Sequence, residues 1–399
     1  MKIKDLEIEV FKGINFKNKL NDGLFRIIPS GANFPNRIKY NKCKYVNAIS
    51  DRQKKKKLIS GDILFNTGGV GTLGRSSHYI SDEIESYCDG FILVLRTLDD
   101  RVYSKFLFYM FQSEPIKQEI INNTRGTTGI TSIRTNAILN FEIPFPNIKK
   151  QKEIVEILDQ AFESIEKAKS NFEKNIENAK ELFQSKLNQI FSTDSKGWES
   201  KTLKQISVDF GRGKSKHRPR NDKKLYNGEY PFIQTGDVRQ SDKLIISYSK
   251  SYNEVGLAQS KLWPKNTICI TIAANIAESA ILDFDACFPD SIIGVVVDSK
   301  TVNHKFLYYS LQFFKQDLKK LGKGSAQDNI NLGTFENHFF NFPNTTKQKE
   351  IVETLDIMDN HIQSLLSSYE EELKNLEELK KSILEKAFNG ELTNKSVAV

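Results

Sequence analysis

Cysteine is scarce in this chain. Four occur in 399 residues, Cys43, Cys88, Cys269 and Cys287, with no CxxC pair and no metal-ligand spacing to the five scattered histidines. That excludes a disulfide framework and a structural zinc, and it fits reduced thiols in a cytoplasm. Long apolar runs are missing as well: nothing approaches the roughly 18 uninterrupted apolar residues that a bilayer crossing needs. The opening residues MKIKDLEIEVFKG alternate charge with apolarity and hold no apolar core of signal-peptide length. Methyl transfer would need a cofactor loop and an Asn/Asp-Pro-Pro-aromatic motif, and neither is present. The glycine-rich GGVGTLGR at residues 68–75 lacks the Lys-Ser/Thr pair that would meet phosphate and magnesium. Pro289-Asp290 with Asp298-Ser299-Lys300 imitates the acidic pair and lysine of metal-dependent nucleases. The matching stretch CDGFILVLRTLDD, however, keeps Asp89 without a lysine, and Asp298 ends an apolar run as a turn residue does. No catalytic residue and no metal ligand is expected.

What the chain does have is a repeat. KQKEIVE stands at residues 150–156 and again at 347–353, 197 positions later, and the spacing persists: Phe145-Pro146 recurs as Phe342-Pro343, Leu158-Asp159 as Leu355-Asp356, Leu187 as Leu384, Phe191 as Phe388. A period this long excludes short solenoid repeats and means a duplicated domain with its linker. Four segments follow: a body at 1–149, a helix at 150–195, a second body at 196–346, and a second helix with a tail at 347–399.

Apolar residues after each KQKEIVE step by 4, 3, 4, 3, 4, 4, 3, through Ile154, Leu158, Ala161, Ile165, Ala168, Phe172, Ile176 and Ala179 in the first copy. The second copy steps identically from Ile351 to Leu376. Heptad spacing with the same stutter, and no proline, predicts two long helices built to pair, each roughly 65 Å at 1.5 Å per residue. Chain order makes the pair antiparallel, with a body at each end. Such a pair buries little per residue, so Phe183, Leu187, Leu366, Leu376 and Leu379 are expected to seek cover on a partner protein.

Charge is distributed unevenly. The formal net charge is +8, yet residues 150–191 and 347–391 carry 13 Lys/Arg against 19 Asp/Glu, which leaves +14 on the two bodies. Bodies that touch phosphate and connectors that touch protein would give this footprint. Within the first body the candidate contacts are Lys54 and Lys55; Asn66, Thr67 and Arg75; and Arg125, Thr127, Thr128 and Arg134. Within the second they are Arg212, Lys214, Lys216, Arg218 and Arg220 in a run with seven Lys/Arg and His217; Gln234, Thr235 and Arg239; and Lys323, Gln327 and Asn329. Arg, Asn and Gln can make paired hydrogen bonds to base edges, while Lys, Thr and backbone amides hold phosphates. The rival reading of the same features is a non-catalytic coiled-coil scaffold with non-specific DNA affinity.

Taken together, KQKEIVE twice, GWESKTLKQI at the start of the second body, SILEKAFNGEL at the end of the second helix, YPFIQTGDV at residue 230 and SGDILFNTGGVGTLG at residue 60 resemble the specificity subunit of a Type I restriction-modification system, over the whole chain. The sequence departs from that pattern where LFRIIPSGANF stands in place of a YPFIQTGDV in the first body, and ITIAANIAES in place of a glycine-rich run in the second. The resemblance implies an α+β fold of two similar mixed α/β target recognition domains at opposite ends of an antiparallel coiled coil with approximate two-fold symmetry. It implies a cytoplasmic subunit with no cofactor of its own that selects a two-part asymmetric DNA sequence. Two modification subunits with S-adenosylmethionine, and restriction subunits using ATP and Mg, would be its partners.

Overall fold

The computed structural model describes residues 1–69, 71–125, 131–193, 197–273, 277–322 and 332–393. The chain divides into two compact units, Met1–Phe172 with Glu370–Val399, and Glu173–Tyr369. Each unit thus takes one body together with half of each long helix.

In the first unit the main sheet runs in the order Ile8–Lys12, Ile92–Thr97, Ile63–Asn66, Ser76–His78, all antiparallel. The second unit repeats this order with Ser207–Arg212, Ile292–Val297, Ile268–Thr271 and Ser279–Leu282, and adds Leu244–Ile245 at the edge. A smaller sheet is duplicated as well. Phe25–Ile28 runs parallel to Ser86–Cys88 in the first unit, as Tyr226–Phe232 does to Ala286–Cys287 in the second. LFRIIPSGANF therefore fills the place of YPFIQTGDV in structure, although the letters differ. After the first strand of each unit comes a glycine, Gly13 or Gly213, where an added Cβ would stand 2.1 or 2.2 Å from the carbonyl of Asp89 or Phe288. Only glycine lets the backbone pass so close.

The two long helices are Ile148–Asn188 and Thr345–Phe388. Each starts the same way. Asn147 Oδ1 accepts from Lys150 N and Asn344 Oδ1 from Lys347 N, both at 2.9 Å, so the residue after each Phe-Pro caps the helix. The repeated glutamine then ties helix to body. Gln151 Oε1 accepts from Tyr103 N at 2.8 Å while its Nε2 donates to Arg101 O and Pro146 O, both at 2.9 Å. Gln348 does the same with Asn303 N, Thr301 O and Pro343 O. Both glutamines are fully enclosed, at 0% and 1% exposure, which is why the motif tolerates a polar side chain there.

About two turns further, Asp159 accepts from Lys105 Nζ at 2.7 Å and Tyr109 OH at 2.5 Å, and Asp356 accepts from Lys305 Nζ at 2.7 Å and Tyr309 OH at 2.6 Å. Lys243 joins the second cluster, reaching Asp356 and Asp359 at 2.9 Å each. In the first unit the helix halves run antiparallel, since Lys169 meets Glu377 at 3.0 Å and Lys380 meets Glu166 at 3.2 Å. In the second, Leu187, Ile190 and Phe191 share one core with Ile351, Val352 and Leu355.

The bodies, not another protein, cover several residues expected to face a partner. Leu187 is 1% exposed in the second core, Phe183 packs edge-on against Tyr309, and Leu376 packs on the first core. An apolar stripe shows that a residue is covered but not by what; here the heads of the same chain supply the cover. Leu366 is half-buried, and Leu379 remains 47% exposed.

Candidate nucleic-acid interface

In the second unit the backbone continuing from Ser207–Arg212 is extended and stapled down. Lys214 O accepts from Ser260 Oγ at 2.7 Å, and His217 N donates to Gln259 Oε1 at 3.0 Å. Gly213 and Ser215 are buried, so Arg212, Lys214, Lys216 and Arg218 are all turned outward. The alternation follows from the period of two along extended chain. Among the described residues no carboxylate lies within 4.0 Å of the charged groups of these four. Arg218 instead folds its Nη1 onto Ser215 O at 2.6 Å and His217 O at 2.9 Å.

Arg220 is different. Its Nη2 spans both oxygens of Asp290 at 2.7 and 2.9 Å, which neutralises it and accounts for one carboxylate of the nuclease-like string. The other, Asp298, accepts from Lys300 N at 3.1 Å as a turn residue, as expected. No cluster of three metal-ligating side chains occurs among the described residues. Asp222 has its carboxyl pulled below the usual range, chiefly by the Lys224 amide and then by His217.

Gln234 precedes the short helix Thr235–Gln240 as its N-cap, its backbone N–H donating to Asp237 Oδ2 at 2.7 Å, and Arg239 is exposed in the last turn. Gln234, Thr235, Arg220 and Lys250 line a cavity of about 210 Å³. Tyr226, Asn221 and Lys250 connect it to a wider groove of about 510 Å³. The Lys250 ammonium lies 5.4 Å from the Tyr226 ring centroid. Tyr226 and Lys250 escaped the sequence reading because they are isolated in the chain and meet only through the pairing of Tyr226–Phe232 with Lys250–Tyr252.

In the first unit the loops at 66–75 and 125–134 do come together: Ile133 N donates to Thr67 O at 2.9 Å, and Arg125 and Ser132 exchange backbone bonds at 3.0 Å. Arg125 and Arg134 are exposed. Asn66 and Thr67, by contrast, are 0% and 5% exposed. Asn66 accepts from Asn33 Nδ2 and donates to Ser30 O, both at 2.9 Å, and Thr67 Oγ1 donates to Phe91 O at 3.0 Å. These two side chains hold the loop and are not offered to a duplex. Their strand, Ile63–Asn66, carries them inward. Lys54 and Lys55 are exposed on the separate short helix Asp51–Lys54, with Lys54 2.9 Å from Asp51. Thr127, Thr128, Lys323, Gln327 and Asn329 lie outside the described residues.

The hairpin Asn33–Phe34 to Arg37–Ile38 adds what the sequence did not signal. Its Phe34 ring has three cations around it: Lys39 at 4.2 Å, Arg75 at 4.9 Å and Lys42 at 5.3 Å. Like charges gathered with no carboxylate within 4.0 Å among the described residues suit a polyanion.

Both units therefore offer exposed basic loops on one duplicated scaffold, and comparison with known proteins agrees. The pattern of the family described as Type I restriction modification DNA specificity domain matches residues 1–175 and 195–375. The chain is 24% identical over 320 residues to the Type I restriction enzyme MjaVIII specificity subunit of Methanocaldococcus jannaschii, spanning 72% of this chain and 71% of that one. It is 23% identical over 386 residues to the putative MjaX specificity subunit of the same organism (90% and 85%), and 23% identical over 357 residues to the StySPI specificity subunit of Salmonella potsdam (83% and 74%). In fold it is similar to a chain solved in a study of complex assembly and conformational transition of the type I restriction-modification system, with a TM-score of 0.74 at 18% identity over 96% of this chain and 98% of that one. The HsdS subunit from Thermoanaerobacter tengcongensis is also similar, with a TM-score of 0.55 at 19% identity over 96% and 97%. With two stretches matched that together span most of its length, this chain belongs to the Type I restriction-modification DNA specificity family and carries its domain twice.

Proposed function

We propose that each unit reads one half of a two-part, asymmetric DNA sequence, and that the chain does no chemistry itself. The observation that carries this reading is the pairing of sameness and difference. Strand order, helix caps and buried glutamines repeat between the units. The exposed cations do not: the first unit groups them around the Phe34 ring, the second strings them along residues 212–218. A scaffold kept constant while its loops diverge serves recognition of two unlike half-sites. In this reading the long helices and their acidic faces meet two modification subunits, which bring S-adenosylmethionine and methylate adenine. Restriction subunits using ATP and Mg join that assembly, in the cytoplasm.

The deciding experiment is to map methylated adenines in host DNA with and without this gene. A two-part motif that vanishes with the gene is the expected result. Equal affinity for random and mapped duplexes at one salt concentration would instead identify a non-specific scaffold, because specific sites ordinarily exceed non-specific ones by orders of magnitude.

A further inference from the structure

The duplication supplies an internal control for one pair of side chains. In the second unit Gln312, on the helix His304–Gly322, donates through Nε2 to Ser279 Oγ at 3.0 Å. Ser279 stands opposite Ile270 across its strand pair. In the first unit Gln112 follows KFLFYMF as Gln312 follows KFLYYSL, and Ser76 stands opposite Phe65 in the matching strand pair. Yet here the pair is parted. Ser76 is 2% exposed and Gln112 9%, and neither Ser76 Oγ nor Gln112 Nε2 has a hydrogen-bond partner among the described residues. Buried polar groups are normally paired, and leaving one without a partner is costly.

Both residues line a single cavity of about 250 Å³ in the first unit. Its remaining wall mixes apolar residues, Pro35, Phe111 and Leu384, with four cations. Arg75, Lys117, Lys380 and Lys381 face it against one carboxylate, Glu377, which Lys169 engages at 3.0 Å. Lys381 has no carboxylate within 4.0 Å among the described residues, and Lys117 reaches Glu114 only at 3.8 Å. Lys380 is held by Glu166 at 3.2 Å, but a neutral ligand would leave Arg75 and Lys381 unanswered, and a cation would be repelled. A tetrahedral phosphate group offers several acceptor oxygens and one or two negative charges, and answers both the ammonium groups and the unpaired Gln112 and Ser76.

We propose that this cavity is a phosphate-binding site of the first unit, with Gln112 and Ser76 donating to the anion and Lys381, Lys117 and Arg75 neutralising it. The phosphate has two possible sources, a phosphodiester of bound duplex or a free phosphate. Only the first depends on the DNA-reading assignment.

The test uses the full chain and three variants. Gln112→Leu removes the amide at constant charge, Lys381→Gln removes a surface charge, and Gln312→Leu is the control in the second unit. Inorganic phosphate should raise the Tm of the unaltered protein above that in chloride at equal ionic strength. Gln112→Leu and Lys381→Gln should abolish that rise, and Gln312→Leu should keep it. If the source is DNA, Gln112→Leu weakens binding of the mapped duplex about tenfold. One neutral methylphosphonate in the backbone then weakens the unaltered protein equally, with no further loss in the variant. A phosphate-dependent Tm with unchanged duplex affinity assigns the site to free phosphate, and would stand even if no two-part motif existed. The proposal is overturned if phosphate and chloride act alike on the unaltered protein while duplex affinity is indifferent to Gln112→Leu and Lys381→Gln.

Discussion

Single buried side chains hold each head to its helix, and the repeated glutamine shows how. Gln348 makes three hydrogen bonds to backbone groups of the loop before the helix His304–Gly322 and of the Phe-Pro turn. Replacing it with Leu removes all three and strands buried donors and acceptors, so Gln348→Leu should cost about 2–4 kcal/mol. Urea denaturation at neutral pH measures this, and a loss under about 0.5 kcal/mol would mean that water replaces the amide. Two histidines set a pH dependence at the same scale. Burial pushes His78 below its ordinary value, helped by Lys105, and does the same to His304, helped by Lys305. Each is harder to protonate in the folded chain than in the unfolded one, so unfolding takes up protons once the pH drops toward about 6.5. A group whose folded pKa is lowered stabilises above the unfolded value and loses that contribution as pH falls through the folded one. Thermal unfolding should therefore show Tm falling between pH 7.5 and 5.5, and a His78→Gln, His304→Gln double variant should flatten that slope.

At the scale of elements, the extended segment after Ser207–Arg212 makes a sharper prediction than its total charge. Lys214 and Lys216 are exposed with no carboxylate within 4.0 Å among the described residues, whereas Arg220 is already held by Asp290 at 2.7 Å. Lys214→Gln with Lys216→Gln should weaken duplex binding and lower the slope of log K against log salt by about 1.8, two lost phosphates at 0.9 each. Arg220→Gln should change that slope far less; an equal change would show that the Asp290 pair opens on DNA. The long helices were legible because apolar spacing and KQKEIVE report periodicity directly, and Ile148–Asn188 and Thr345–Phe388 begin within two residues of the expected places. The outward basic segment was legible as a charge run. What covers a stripe was not: Phe183 meets Tyr309, and Leu187 shares a core with Phe306, each more than a hundred residues distant in sequence. Nor was the depth of Asn66 and Thr67, since NTGG reads as an exposed polar turn until the strand before it is seen to run into the sheet. The cations around Phe34 meet across two loops and leave no local pattern.

For the whole molecule, duplication implies that a head should be transferable between its two sites, and the anchors say at what cost. Gln151 matches Gln348, Asp159 matches Asp356, and Phe388 against Phe106 at 5.5 Å matches Phe191 against Phe306 at 5.4 Å. Several positions do not match, Phe183 against Lys380 among them, and two of them make separable predictions. Ala387, 1% exposed in the first core, stands where the second core has Ile190, and Phe162 stands where Asp359 receives Lys243. A chain in which residues 196–346 replace 1–149 would therefore leave a cavity beside Ala387 and take one carboxylate from the transplanted lysine. Filling that cavity through Ala387→Ile should recover about 2–4 kcal/mol of unfolding free energy, and Phe162→Asp should restore the second lysine contact. In the natural chain the same Ala387→Ile change should overpack the first core and destabilise it by about 1–3 kcal/mol. Opposite signs in the two backgrounds, read by urea denaturation, are the signature of transferable heads; the same sign in both would mean that the grafted head does not seat on the shared anchors. Once seated, two copies of one head should direct methylation to sites whose halves are alike in sequence, which adenine-methylation mapping would register as the loss of the original asymmetric motif.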